Sequence, residues 1–343
     1  MLNRTKICII NLYSKGLNMN RIFFSVGLLS LLSLITVLHA LVVPFPLVET
    51  TWVEKNLNKI VVLDVRKDIK SFKNNPVLVH NKKSEKLKIK SVGAHIPGAI
   101  LVDFKKIRVT RNIDGKEVKK LIPLKGDFED LMQSWGVDRD STIIIMSKGL
   151  NDKDLTFTTR LYWQLKYFGH DNVAILNGGM AKWLLEERAI SKTPKPHIKG
   201  NWVVRAERRD LLATKSDILN ASKTDSQLID NRNLGQYFGV YKKPYVSKKG
   251  HLPDAKVFPS ELLSTGKSPA KFLEVDKLRA LFVNMKIDYT ADSITYCNSG
   301  HLASGGWFVL HELLGNDNVK LYDGSMHEWT LDKEAKVTTL KIE

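Results

Sequence analysis

Two kinds of hydrophobic pattern alternate along this chain, and the alternation runs through twice. Ile60-Val61-Val62-Leu63-Asp64-Val65-Arg66 is an apolar run suited to a buried strand that ends in an acid and a base, and Gln227-Leu228-Ile229-Asp230-Asn231-Arg232 repeats it. Each is followed by an [AG]-H-[IL]-P-[GD]-A element, first Ala94-His95-Ile96-Pro97-Gly98-Ala99 and then Gly250-His251-Leu252-Pro253-Asp254-Ala255. Next come two β-rich runs, 141–146 and 293–296, and two helical stretches, 161–168 and 307–314. Each helical stretch is closed by a glycine and a D-N-V strand. The last matched elements are Asn177-Gly178-Gly179 with Trp183 and Asp323-Gly324-Ser325 with Trp329. The offset falls from 166 at Asp64/Asp230 to 146 at Gly169/Gly315, so the copies differ by loop insertions and keep the order of elements.

Strands alternating with helices predict α/β architecture: two tandem domains, each a parallel sheet flanked by helices. The first domain is expected over 48–189 and the second over 210–343. Between them, 190–209 carries Pro194, Pro196 and many charges without apolar periodicity, as a linker does. A length of 343 residues agrees with two domains, and 43% hydrophobic with 26% charged residues excludes a disordered, collagen-like or polytopic membrane protein.

The first 40 residues carry Arg4, Lys6, Lys15 and Arg21, no acid, and an apolar run over 22–38. This pattern predicts an export signal cleaved after Ala40 or an uncleaved N-terminal anchor, with Met19 as an alternative start. The protein is then expected in the periplasm, or held on the periplasmic face of the inner membrane through this segment. Removal of 1–40 lowers the net charge only from +17 to +13. The lysines are dispersed without interleaved aromatics or a helix-turn-helix pattern, so no nucleic-acid partner is expected. The cluster at 82–90 reads as a solvated loop, and the charge as solubility, surface association or attraction of small anions.

Only two cysteines exist, Cys8 and Cys297, which excludes a disulfide framework and a C-x-x-C zinc site. Export leaves Cys297 alone. It lies between the strand Ile294-Thr295-Tyr296 and a helix expected over 303–314, in the loop Cys297-Asn298-Ser299-Gly300-His301-Leu302. Open α/β sheets place ligands at such a position, and unpaired N–H groups with the helix dipole favour an anionic sulfur there.

With these residues in view, the chain resembles the tandem-domain rhodanese family, the thiosulfate and 3-mercaptopyruvate sulfurtransferases, over roughly 48–330. The likeness rests on the D-x-R strands, both H-x-P elements, the cysteine loop and the [DN]-G-[GS] endings. It implies a catalytic second domain and a non-catalytic first domain that covers the cleft, because Met146-Ser147-Lys148-Gly149 stands where the cysteine loop would be. It also implies ping-pong transfer from a small anionic sulfur donor to cyanide or a thiol acceptor through a persulfide on Cys297, with no metal or organic cofactor. Arg232 matches the family's substrate-binding arginine, with an internal salt bridge to Asp230 as its other reading. The backbone N–H groups of Asn298, Ser299, Gly300, His301, Leu302 and Ala303 are expected to cradle the persulfide.

Departures from the family pattern leave the donor open. C-N-S-G-H-L replaces the C-G-S-G-V-T of mercaptopyruvate enzymes and the C-R-K-G-V-T of thiosulfate enzymes. Ser299 with His95 fits the former, but the expected acid before His95 is missing. A second family arginine is here Gln236, for which Lys242 and Lys243 are candidate replacements. His301 reads either as an anion-attracting group or as a surface histidine, and His95 and His251 read first as turn residues bonded to backbone. A cysteine phosphatase is disfavoured because Ala303 stands where its clamping arginine is needed. A noncatalytic scaffold is disfavoured by Cys297 and Arg232. A persulfide carrier or redox-sensing module loaded by a partner protein remains the alternative.

Overall fold

The computed structural model describes residues 41–80 and 87–340, so the expected export signal or anchor lies outside the described residues. The first pass of the repeat forms β1 (Leu47–Val48), α1 (Thr50–Asn56), β2 (Val61–Arg66), the antiparallel pair β3 (Val77–His80) and β4 (Leu87–Ser91), and β5 (Ile100–Asp103). It continues with the hairpin β6 (Val109–Ile113) and β7 (Lys116–Leu121), then α2 (Lys125–Ser134), β8 (Ile143–Met146), α3 (Asp152–Tyr167), β9 (Val173–Leu176) and α4 (Gly179–Leu185). The second forms β10 (Leu212–Ala213), α5 (Lys215–Asn220), β11 (Gln227–Asp230), α6 (Leu234–Tyr237), β12 (Lys256–Val257), α7 (Val275–Asn284), β13 (Ser293–Tyr296), α8 (His301–Phe308), β14 (Val319–Tyr322) and α9 (Ser325–Thr330). Both sheets are five-stranded and parallel, ordered β1-β9-β8-β2-β5 and β10-β14-β13-β11-β12. Each pass therefore winds the same way.

Strand periodicity sorts the apolar side chains into layers. In β8, Ile143 and Ile145 face one way and Ile144 and Met146 the other. The outer faces pack under α1 and α4 in the first half and under α5 and α9 in the second. The inner faces, with α2, α3, α7 and α8, join one apolar cluster that runs through both halves from Leu63 and Val102 to Ile229, Trp307 and Cys297. The halves thus share a core.

Sixteen of the twenty residues by which the offset falls lie in the intervals that hold the two antiparallel pairs, and the other four lie between Met146 and Gly169. Ten extra residues separate Asp64 from His95 relative to Asp230 and His251, and β3–β4 lies there. Of the cluster read as a solvated loop, Lys88 and Lys90 belong instead to β4. They alternate with Leu87 and with Ile89, which packs on the outer core, as an amphipathic strand requires. Helix α3 begins at Asp152, nine residues before the expected start, capped by the Asn151 side chain accepting from the Asp154 N–H. Helix α8 begins at His301, and its continuation over Val309–Leu313 widens into a π turn. The 190–209 segment is largely irregular and strapped down: Gly200 and Trp202 donate to the carbonyls of Gln133 and Val137, and Trp202 is buried against Phe128.

Helices α3 and α8 meet at the boundary between the halves. A Cβ at Gly305 would come within 2.8 Å of Thr156 Cγ2, so glycine permits this approach. The Thr159 and Ser304 hydroxyls are 2.8 Å apart across it.

Candidate active site

Cys297 follows β13, the middle strand of the second sheet, and is 1% exposed at the floor of a cleft of about 390 Å³ between the halves. The loop after it is tied down by one hydroxyl. Ser325 Oγ accepts from the N–H groups of Cys297 (3.0 Å) and Gly300 (3.1 Å) and donates to the Tyr322 carbonyl (2.7 Å). The Ser299 N–H points at Cys297 Sγ, 3.5 Å away. The loop can therefore offer hydrogen bonds to charge on that sulfur or on one attached to it.

Asn298, Ser299, His301 and Leu302 line the cleft, but Gly300 and Ala303 do not. The Gly300 N–H is committed to Ser325, and the Ala303 side chain is packed in the shared core. Gln236, which sequence comparison treats as a lost anion contact, is buried, and its Oε1 accepts from Asn298 Nδ2 at 2.8 Å. It positions the loop.

Of the two readings of Arg232, the structure shows the salt bridge to Asp230. Its guanidinium is 1% exposed, donates through Nε and Nη2 to Asp230 at 2.9 and 2.6 Å, and donates to the Gly250 carbonyl at 2.8 Å. It does not line the cleft. The first half repeats the same clamp, with Arg66 Nη2 donating to Asp64 and to the Ala94 carbonyl at 2.6 Å each. In both halves D-x-R thus fixes the carbonyl that precedes the H-x-P histidine. His95 is likewise outside the cleft: its ring stacks on Phe72 at 3.9 Å, Nδ1 lies 2.9 Å from the Ile96 carbonyl, and burial lowers its pKa. A His95–Ser299 relay does not exist in this geometry. His251 repeats the arrangement, stacked on Tyr237 at 3.7 Å.

His301 belongs to the wall, not to the anion site. Its ring stacks on Phe157 and tilts against Phe104, both from the first half, and Nε2 is 2.9 Å from Thr156 Oγ1. Burial, reinforced by Arg108 and Arg160, pushes its pKa well below the usual value, so the ring is neutral near pH 7. Lys243 reaches the cleft and Lys242 does not. Residues that sequence reasoning overlooked supply most of the positive charge: Lys67, Lys105, Arg108, Lys120 and Lys153, all from the first half, line it with no carboxylate among the lining residues.

A buried ion pair joins the halves behind the loop. Arg160 Nη1 lies 2.6 Å from Asp323 Oδ1 and 3.3 Å from the Gly300 carbonyl, and Asp323 Oδ2 accepts from the Ile122 N–H at 2.7 Å. The cysteine loop is thereby set against α3 and the end of β7.

Known proteins resemble this chain in sequence and in fold. A rhodanese-like domain model matches residues 49–186 and 214–332. A Haloferax volcanii protein named "Putative thiosulfate sulfurtransferase" is 31% identical over 244 residues, 69% of this chain and 80% of its own length. The sulfur carrier protein TtuD of Thermus thermophilus is 28% identical over 298 residues, 83% of this chain and 94% of its own. Among solved structures, the 3-mercaptopyruvate sulfotransferase SseA of Escherichia coli superposes with a TM-score of 0.65 at 23% identity, over 82% of this chain and 98% of its own.

Proposed function

The chain belongs to the rhodanese family, and from that premise we propose that it is an exported sulfurtransferase that takes sulfane sulfur from thiosulfate onto Cys297 and passes it to cyanide or a thiol. One observation carries the reading: Cys297, the one cysteine among the described residues, sits at the floor of a cation-lined cleft, with the Ser299 N–H directed at its sulfur. The Cys297 thiolate attacks the outer sulfur of the donor. A Cys–S bond forms, the sulfur–sulfur bond to the sulfonate breaks, and its electron pair leaves as sulfite. The persulfide then gives its terminal sulfur to cyanide, forming thiocyanate and restoring the thiolate.

Thiosulfate is favoured over 3-mercaptopyruvate because His95 lies away from the cleft, so Ser299 lacks the partner that a relay to a departing enolate needs. Export is supported by the acid-free basic start and the apolar run over 22–38. A second reading, a sulfur carrier loaded by a partner, is supported by the likeness to TtuD. It differs in turning over small donors slowly while accepting sulfur readily.

Intact mass after thiosulfate treatment is expected to rise by one sulfur atom, and Cys297→Ser is expected to abolish both this gain and thiocyanate formation. Thiocyanate formation at the wild-type rate by Cys297→Ser overturns the mechanism. A donor kcat/KM for 3-mercaptopyruvate more than about tenfold above that for thiosulfate, a difference of roughly 1.4 kcal/mol, overturns the donor assignment.

A further inference from the structure

The hairpin β6–β7 of the first half carries an irregularity aimed at the cleft. Val109 pairs with Leu121 and Arg111 with Val118, so β7 holds one more residue than β6 in that interval, a β-bulge. Within it Lys120 adopts φ +70°, a left-handed conformation costly for a side chain of this size. Bulges of this kind re-aim a side chain. Lys120 Nζ ends 3.3 Å from the centre of the Tyr245 ring, and the Tyr245 hydroxyl lies 3.4 Å from Ser299 Oγ in the cysteine loop. Just past the bulge the Ile122 N–H is bound by Asp323, which fixes the hairpin end to the second half.

Arg108 leads into the same hairpin and enters the same cleft. Its guanidinium lies over the Phe104 ring at 3.9 Å, and its Nε is buried without a hydrogen-bond partner. Among the described residues neither Arg108 nor Lys120 forms a salt bridge, whereas Arg160 and Arg232 are both consumed by carboxylates. Two cations are thus held on aromatic faces beside the thiol with donors to spare.

Resting on the sulfurtransferase reading above, we propose that Arg108 and Lys120 of the non-catalytic half bind the sulfonate of thiosulfate over Cys297. They fill the place that sequence comparison assigns to Arg232. In the transfer itself these two cations stabilise the sulfite that departs with the bonding electron pair. The strained backbone at Lys120 is retained because it delivers the ammonium to the cleft.

Burial, with Arg108, Lys243 and Lys67 pushing the same way and Cys297 opposing them, lowers the Lys120 pKa to about 8. Its charge is present below that pH and lost above it, so donor kcat/KM, which reports the free enzyme, falls as pH rises through about 8. Four variants separate this role from a structural one: Lys120→Met, Lys120→Arg, Lys120→Gly and, as a control on the same hairpin, the exposed Lys119→Gln. Thiosulfate kcat/KM and persulfide mass gain are measured from pH 6.5 to 9.5, with thermal unfolding of each variant. Loss of Lys120 is expected to lower donor kcat/KM roughly ten- to a hundredfold, the scale of one charge-assisted contact. Lys120→Gly should do so while unfolding no earlier than wild type, because glycine relieves the φ +70° strain. Lys120→Arg should keep donor use and lose the fall above pH 8, and Lys119→Gln should match wild type. Wild-type donor kinetics in Lys120→Met, or an unchanged high-pH limb in Lys120→Arg, overturns the proposal while leaving the sulfurtransferase reading intact. A wild-type protein that gains no sulfur from thiosulfate overturns both.

Discussion

Substituting Arg160 by Met isolates the ion pair that ties the halves together. Arg160 is fully buried and Asp323 nearly so, with Nη1 2.6 Å from Oδ1, and Asp323 also holds the Ile122 N–H. The variant leaves the Asp323 carboxylate buried with only that amide. Breaking a buried pair from one side costs about 3–5 kcal/mol, most of it the uncompensated charge. The shared apolar core predicts that both halves unfold together, so one transition should carry the whole loss. At about 2 °C per kcal/mol for a chain this large, the midpoint should drop by roughly 6–10 °C. Adding Asp323→Asn removes the stranded charge and keeps a carbonyl oxygen for the Ile122 N–H. The double variant should therefore recover about 2–3 kcal/mol relative to the sum of the single changes. Urea unfolding of the four proteins, followed by tryptophan fluorescence and circular dichroism, measures the cycle. A cost below about 1 kcal/mol for Arg160→Met, or strict additivity in the double variant, refutes the assignment of this pair as the tie.

Two further outcomes follow from other groups. The Trp202 indole N–H donates to His170 Nδ1, and burial, with Arg205 nearby, holds the His170 pKa down to about 4. The unfolded chain therefore takes up its proton first, and stability falls by about 3 kcal/mol between pH 6.5 and 4. Urea midpoints at pH 7 and 4.5 should show that part of the acid loss removed in His170→Gln. Fractionation of Gram-negative cells expressing the full chain should place the protein in the periplasm or on the outer side of the inner membrane, and recovery only as unprocessed cytosolic protein contradicts the export reading.

Much of the fold is legible because the repeat is. Equivalent runs such as 141–146 and 293–296 give the middle strands of both sheets, and the cysteine loop follows from being the end of one of them. The positive half of the site is not legible in the same way. Lys120 faces the cleft only because a bulge and a left-handed residue break the alternation of β7, and neither leaves a signature in a string of lysines. Arg232 illustrates the converse. Its motif recurs as Arg66 in the half without a cysteine, where no sulfur chemistry needs it, and that recurrence was a readable sign that D-x-R clamps a backbone carbonyl. His301 lies in the cysteine loop, but the aromatic rings that keep it neutral come from α3 and from the end of β5, far away in sequence.

The two halves show how one loop became a site and the other did not. Ser147 follows β8 as Cys297 follows β13, and the carbonyls of Ser147 and Lys148 accept from Met180 and Ala181 just as those of Cys297 and Asn298 accept from Met326 and His327. The equivalent of Ser325 in the first half is Gly179, and both hold a left-handed backbone, at φ +50° and +54°. Glycine takes that conformation freely, and the Gly149 turn closes down on it: a Cβ at Gly179 would come within 2.4 Å of the Ser147 carbonyl oxygen. Serine there costs roughly 1–2 kcal/mol of strain. Its hydroxyl offsets the cost with three hydrogen bonds, two of which tie the Cys297 and Gly300 amides to the start of α9. A loop anchored in this way sets Cys297 at the cleft, and the half that has glycine supplies helix α3, the Ile122 amide and the cleft-lining cations instead.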